Sequence, residues 1–204
     1  MCRFIETILF QNNNMPLIKG HEQRFVKTQM AAWGKIIYPS LEKIIRNKKV
    51  VLKNEIPYKC RVVYDSENIE ISFTTYQKRA ISILVLKECN DIEYHFKYEN
   101  REELNFLAKD LQPGEEVLIV KNNLITETSF TNIALWNGKE WHTPKRPLLH
   151  GVQRSKLLLD KIISEKNISV QDLTFYQKIR LFNALVNWGE AWELSTKQIR
   201  TSSL

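Results

Sequence analysis

Glycine is scarce: six in 204 residues. No G-x-G-x-x-G and no Walker loop occurs, which excludes the glycine-built phosphate loops of dinucleotide-binding and P-loop proteins. No G-x-S-x-G is present, so a nucleophile elbow is excluded as well. The four histidines stand at none of the spacings of a zinc motif, which argues against a metal centre. The three cysteines, Cys2, Cys60 and Cys89, are odd in number, far apart and without a C-x-x-C. That is the pattern of ordinary reduced thiols in a cytoplasmic protein. No apolar run nears the roughly 20 residues that span a bilayer. The first residues, Met1-Cys2-Arg3-Phe4-Ile5-Glu6, lack signal-peptide architecture. The expectation is a cytoplasmic protein without a membrane partner.

What is present is a moderately basic chain of one large or two small domains, with a formal charge of +7 from 30 Lys and Arg against 23 Asp and Glu. The basic residues are spread, with the densest cluster at Arg46-Asn47-Lys48-Lys49. No basic stripe is interleaved with aromatics, so a solvated surface is expected and nucleic acid is not an expected partner. A small anionic ligand suits such a charge. A basic, non-catalytic nucleic-acid-binding protein is the alternative from another functional class.

Hydrophobic periodicity predicts a strand over Phe4 to Phe10, a turn at Gln11 to Met15, a helix over His21 to Trp33 with Phe25 and Met30 inward, and a helix near Leu41 to Arg46 after Pro39-Ser40. Strands follow at Cys60 to Tyr64 and Ile69 to Phe73, and a boundary falls near Tyr76 to Ile81. The second half reads as strands at Ile81 to Leu86, Asp91 to Lys97 and Val117 to Val120, and a helix carrying Leu104, Leu107, Ala108 and Leu111. A hairpin turn at Asn137-Gly138, a helix over Val152 to Ile163 with Leu157, Leu158 and Ile162 inward, and a last apolar element at Ile179 to Val186 complete it. The fold class is α+β (mixed α/β). It comprises a small N-terminal α/β domain over 1–80 and a larger, strand-rich C-terminal domain with covering helices over 81–204.

Four segments could carry chemistry. Ile125-Thr126-Glu127-Thr128-Ser129-Phe130-Thr131-Asn132-Ile133 sets one carboxylate among small hydroxyl residues between apolar ends, as if backbone and hydroxyls gathered around a polar ligand. Lys97 ends the alternating segment on the face opposite Ile92, Tyr94 and Phe96. A lysine desolvated in a cleft loses part of its preference for the charged form, as an imine-forming amine must. Leu149-His150-Gly151-Val152-Gln153-Arg154 opens a helix, whose first N–H groups can bind phosphate. His21-Glu22-Gln23-Arg24-Phe25 offers Arg24 as a bidentate phosphate clamp. The last three also have plainer readings, as a solvent-facing lysine, a loop-to-helix junction and a surface arginine.

Taken in order, Phe4-Ile5-Glu6-Thr7-Ile8, His21-x-x-Arg24, Lys97-Tyr98-x-x-Arg101, Ile125-Thr126-Glu127-x-x-x-x-Asn132-Ile133 and Gly151-Val152-Gln153-Arg154 resemble the class IV aminotransferases. These are the fold-type-IV pyridoxal-phosphate enzymes, which include branched-chain and D-amino acid aminotransferases and 4-amino-4-deoxychorismate lyase. The resemblance covers nearly the whole chain and implies pyridoxal 5'-phosphate as cofactor, a small anionic amino-substrate and a homodimer. It implies that Lys97 forms the imine with the cofactor and moves the substrate's α-proton, and that Glu127 faces the pyridine nitrogen. Phosphate contacts fall to Arg24, Phe130, Thr131, Val152 and Gln153, and Leu149 packs on the ring. Arg79 is implied near the substrate carboxylate, and Arg101 as a second substrate residue. The chain departs from the family in its short length, in Gln153 where many members have threonine, and in Phe130 where a smaller residue is common. Lys97-Tyr98-x-x-Arg101 is closer to the lyase pattern than to the aminotransferase one.

Overall fold

The computed structural model describes residues 2–201, so the outer limits of the two expected domains, residues 1 and 204, lie outside it. The chain forms two compact units, residues 1–78 with 96–100, and residues 79–95 with 101–204. Residues 96–100, placed in the second half by the sequence, thus join the first unit and bring Lys97 with them.

The first unit is a three-stranded antiparallel sheet backed by helices. Strand β1 (Phe4–Phe10) pairs with β2 (Tyr58–Tyr64), and β2 pairs with β3 (Ile69–Thr75). The turn after β1 places Asn12 and Asn13 at φ 51° and 56°, the left-handed region that asparagine tolerates. Helix α1 (Ile18–Trp33) buries His21, Phe25, Thr28 and Gln29, a stripe at helical spacing. Met30 falls about 100° beyond Gln29 and is 47% exposed, so it is not the inward residue that periodicity predicts. Gln29 takes that place by holding the chain beyond the helix: its Oε1 accepts from Ile37 and Tyr38 N–H at 3.0 and 2.8 Å, and its Nε2 donates to Tyr38 O at 3.1 Å. Helix α2 (Leu41–Arg46) is capped by Ser40. Phe4, Ile8, Met15, Phe25, Leu41, Ile45, Val62 and Tyr64 form the core.

The second unit contains two sheets. One runs β12 (Ile199–Thr201), β4 (Ile83–Glu88), β5 (Glu115–Lys121), β6 (Leu124–Thr128), with β12–β4 and β4–β5 parallel and β5–β6 antiparallel. The other runs β11 (Trp192–Ser195), β10 (Lys178–Phe182), β7 (Asn132–Trp136), β8 (Trp141–Pro144), β9 (Ile163–Lys166), with β8–β9 parallel and the other pairs antiparallel. Strands β6 and β7 are consecutive yet lie in different sheets, so residues 129–131 are where the chain changes sheets. Helix α3 spans only Glu102–Leu107 and α4 only Val152–Leu159, both shorter than their apolar periodicity suggests. Lys161 turns to φ 59° and Ile162 is 41% exposed, so the predicted continuation to Ile163 fails and Ile163 starts β9.

Asp91 to Lys97 is not a strand. Its alternation is real in burial, with Ile92 and Tyr94 buried and Asp91, Glu93 and His95 exposed. An extended segment can bury alternate side chains without a ladder partner, and sequence period does not distinguish the two.

Candidate active site

In the first unit, Lys97 is held by its backbone. Ile5 N–H of β1 donates to Lys97 O at 2.8 Å, Glu99 N–H donates to Arg3 O at 2.8 Å, and Phe4 bridges Tyr98 in antiparallel fashion. Tyr98 N–H donates to Phe96 O at 2.9 Å, a γ-turn centred on Lys97. The lysine therefore projects from a kink fixed to the edge of β1, half-buried, and not from a regular strand.

The residue after Ile5 carries a second feature. Glu6 is 1% exposed, and its two oxygens accept from Arg24 Nε at 2.8 Å and Arg24 Nη2 at 2.5 Å. His21 Nδ1 lies 2.5 Å from Glu6 Oε2. Burial alone would raise the Glu6 pKa. The Arg24 charge, the Arg24 hydrogen bonds and the His21 hydrogen bond outweigh it and bring it to about 2. Burial lowers the pKa of His21 against the pull of Glu6, and the charges of Arg24 and Lys97 lower it further. At neutral pH Glu6 is thus ionised and His21 neutral, with the Nδ1–H donating. His21 Nε2 is buried and has no hydrogen-bond partner among the described residues. Arg24, expected as a phosphate clamp, is first of all the bidentate partner of Glu6. Its side chain remains 15% exposed.

In the second unit, Glu127 is 6% exposed on β6. Its Oε2 accepts from Leu149 N–H at 3.0 Å and lies 3.4 Å from Asn132 Nδ2, which also donates to Leu149 O at 2.9 Å. Asn132, at the start of β7, thus ties the carboxylate to the loop that leads into α4. A Cβ on Gly151 would meet Asn132 Oδ1 at 2.1 Å, so the loop can pass this close only as glycine. Helix α4 begins with no side-chain cap. Val152 and Gln153 are 6% and 8% exposed, and among the described residues nothing accepts from their N–H groups. A buried helix start with unfilled donors is suited to an anion.

The Thr128 and Thr131 hydroxyls build the sheet-changing turn. Thr128 Oγ1 accepts from the N–H of Phe130 at 3.3 Å and of Thr131 at 3.0 Å, and lies 2.7 Å from Thr131 Oγ1. Thr126 Oγ1 donates to Ile119 O at 3.0 Å. The Phe130 and Thr131 N–H groups expected on a phosphate are therefore directed to Thr128, because a threonine at a strand end can close such a turn on itself.

Arg79 and Arg101, expected near the substrate, support the same turn. Arg79 is ion-paired with Glu116, which is 1% exposed and also accepts from Ser129 N–H at 3.0 Å. The Arg79 guanidinium lies 4.0 Å over the Phe130 ring, which packs edge-on against Trp192. Moving Arg79 to a substrate would strand a buried carboxylate, a costly step. Arg101 Nη2 donates to Ser129 O at 2.6 Å.

Glu6, Thr128, Asn132 and Glu116 were not singled out from sequence as site residues. The only signal for Glu6 was its place in the first matched segment, and for Asn132 its fixed spacing from Glu127. The residues present fit the cofactor that the resemblance implies. A buried carboxylate with one oxygen pinned suits a pyridine nitrogen, the open α4 start suits a phosphate, and a half-buried lysine on a rigid mount suits an imine.

Comparison with known proteins agrees. A profile of the amino-transferase class IV family matches residues 3–191. An uncharacterized protein of Haemophilus influenzae is 31% identical over 190 residues, 91% of this chain and 98% of that one. The crystal structure of a candidate 4-amino-4-deoxychorismate lyase from Haemophilus somnus 129PT is 30% identical, with TM-score 0.83 over 91% of this chain and 97% of that chain. The branched-chain amino acid aminotransferase of Escherichia coli shares the fold at 14% identity, with TM-score 0.72 over 97% of this chain and 76% of that chain. The chain belongs to the class IV aminotransferase family and is a pyridoxal-phosphate-dependent lyase or aminotransferase.

Proposed function

We propose that this protein is a pyridoxal-phosphate-dependent lyase of the 4-amino-4-deoxychorismate lyase type, releasing 4-aminobenzoate and pyruvate from a small anionic amino-substrate. The observation that carries the cofactor assignment is the buried Glu127 carboxylate, tied through Asn132 and Leu149 to a helix start with unfilled N–H donors. The lyase choice is supported by the 30%-identical relative bearing that name and by Lys97-Tyr98-x-x-Arg101.

Pyridoxal phosphate, when bound, supplies an electron sink for the electron pair left at the substrate α-carbon. Lys97 would provide the amine that holds the cofactor and the base that takes the substrate's α-proton. Glu127 would set its carboxylate against the pyridine nitrogen and favour a proton there. The Val152 and Gln153 N–H groups would bind the phosphate, and the family resemblance gives Arg24 the same role. The loop carrying Leu149 lies against the Glu127 carboxylate and fixes its rotamer.

Incubation with 4-amino-4-deoxychorismate should yield 4-aminobenzoate, and borohydride should bleach the cofactor absorbance and fix the cofactor to Lys97. The second reading, a class IV aminotransferase, is favoured by the shared fold with the Escherichia coli enzyme. It predicts keto acid formed from an amino acid donor and an acceptor, with no 4-aminobenzoate. A protein that neither takes up the cofactor nor forms either product would sink both.

A further inference from the structure

We propose that Glu6 is a positioning residue that mounts the phosphate-directed Arg24 on the strand that holds Lys97, with His21 as a neutral second support. The inference rests on the cofactor reading above. Two adjacent residues of β1 do separate jobs: the Ile5 N–H holds Lys97 O at 2.8 Å, and the Glu6 carboxylate holds both ends of the Arg24 fork. The Ile5 N–H points within the sheet plane at the outer edge of β1, whereas the Glu6 side chain stands out of that plane, so the two attachments do not compete for space. An arginine on a helix surface samples many rotamers. A bidentate carboxylate reduces these to one guanidinium plane. Pyridoxal phosphate has a fixed distance between its aldehyde carbon and its phosphate, so an amine and an anion-binding group serving one molecule of it gain from one rigid mount.

The chemistry of His21 agrees. A third cation beside Arg24 and Lys97 would add repulsion, and the position is filled by a group that donates to Glu6 while staying neutral. The buried Nε2, without a partner among the described residues, fits this, since a protonated ring would leave a buried N–H without an acceptor there.

The test compares pyridoxal phosphate with pyridoxal, which lacks the phosphate, binding to protein freed of cofactor with hydroxylamine and followed by tryptophan fluorescence. Wild type should prefer pyridoxal phosphate. Glu6→Gln should lose roughly tenfold or more of that preference, the scale of a charge-assisted hydrogen bond, with pyridoxal affinity within about twofold of wild type. Glu6→Gln/Arg24→Gln should be no worse than Arg24→Gln alone. If Glu6→Gln does not fold, His21→Leu removes one support and leaves the ion pair, and should lower the preference to a smaller extent, with His21→Asn restoring it through an amide donor. An unchanged preference in the folded variants, or equal loss for both ligands, overturns the proposal while leaving the cofactor reading intact. A wild type that binds neither ligand overturns the cofactor reading itself.

Discussion

The two units secure their buried acids by different means. In the first, Glu6 on β1 is held by side chains projecting from α1, the Arg24 guanidinium and the His21 ring. In the second, Glu127 Oε2 is held by a loop N–H and by an amide that also grips that loop's carbonyl. The first arrangement is built from charge and should fail when charge is removed. The second is built from the path of the backbone and should fail when that path is displaced. Charge-built sites fix a cation at one point, whereas path-built sites aim several weak donors at once.

The largest effects test whether each unit has the chemical role assigned to it. Lys97→Ala should abolish borohydride-fixable cofactor and lower turnover by roughly ten-thousand-fold, the upper range for a positioned acid–base group. Glu127→Gln should keep the bound cofactor and lower turnover by roughly a hundredfold or more, the scale of a lost electrostatic stabiliser. The readouts are the cofactor absorbance and kcat measured side by side. If Glu127→Gln loses cofactor as completely as Lys97→Ala, the second unit's acid is a binding residue and the division of roles is wrong.

The next effect tests the charge-built cluster by stability. Glu6→Leu leaves the Arg24 charge without its carboxylate and should cost about 3 kcal/mol in urea unfolding, the lower range for breaking a buried pair, since Arg24 keeps some exposure. Glu6→Leu/Arg24→Leu should recover most of that loss.

The pH dependence follows from the same residues. The Glu6 pKa falls from the ordinary 4.5 to about 2 on folding. The unfolded chain therefore binds the extra proton first, and the stability this carboxylate contributes is full above 4.5 and lost as pH falls towards 2. His21 is also depressed from 6.5, so its contribution is full above 6.5 and begins to decline below that, in the same direction. Urea midpoints should fall steadily on the acid side, and Glu6→Gln should flatten the lower part of that limb. A midpoint that rises on acidification would contradict both assignments.

Local elements were legible where one local rule decided them. Phe4–Phe10 and Leu41–Arg46 fall where periodicity and the Ser40 cap put them, and Asn12 and Asn13 turn at positive φ within the expected turn after β1. Long-range features were not. Nothing local marks Ile199–Thr201 as a parallel neighbour of β4, or Ile163–Lys166 as one of β8, because parallel partners meet through distant chain. The alternation at Asp91 to Lys97 reports burial and cannot report a hydrogen-bond ladder. Within the site, Glu127, Lys97 and the α4 start could be picked out as chemical types in suggestive places. The engagement of Arg24 with Glu6, of Arg79 with Glu116 and of the Thr131 N–H with Thr128 could not, since each is a choice of partner made only in three dimensions.

The smallest predicted effect isolates the path-built site. Gly151→Ala forces a methyl to within 2.1 Å of Asn132 Oδ1, and the strain should cost about 1–3 kcal/mol, typical of overpacking. Relief by rotating Asn132 would release both Glu127 and the Leu149 carbonyl, so the variant should lose turnover out of proportion to its stability. Asn132→Ala removes the obstructing oxygen together with the tie, and on its own should cost about 1 kcal/mol for the lost hydrogen bonds. The two substitutions touch one contact and should not add. Gly151→Ala/Asn132→Ala should be more stable than the sum of the single losses, yet should show no recovery of turnover, because the Glu127 carboxylate stays untied. Simple additivity in the urea midpoints would mean that Gly151 acts through backbone freedom alone, and that the close approach to Asn132 is not what requires glycine there.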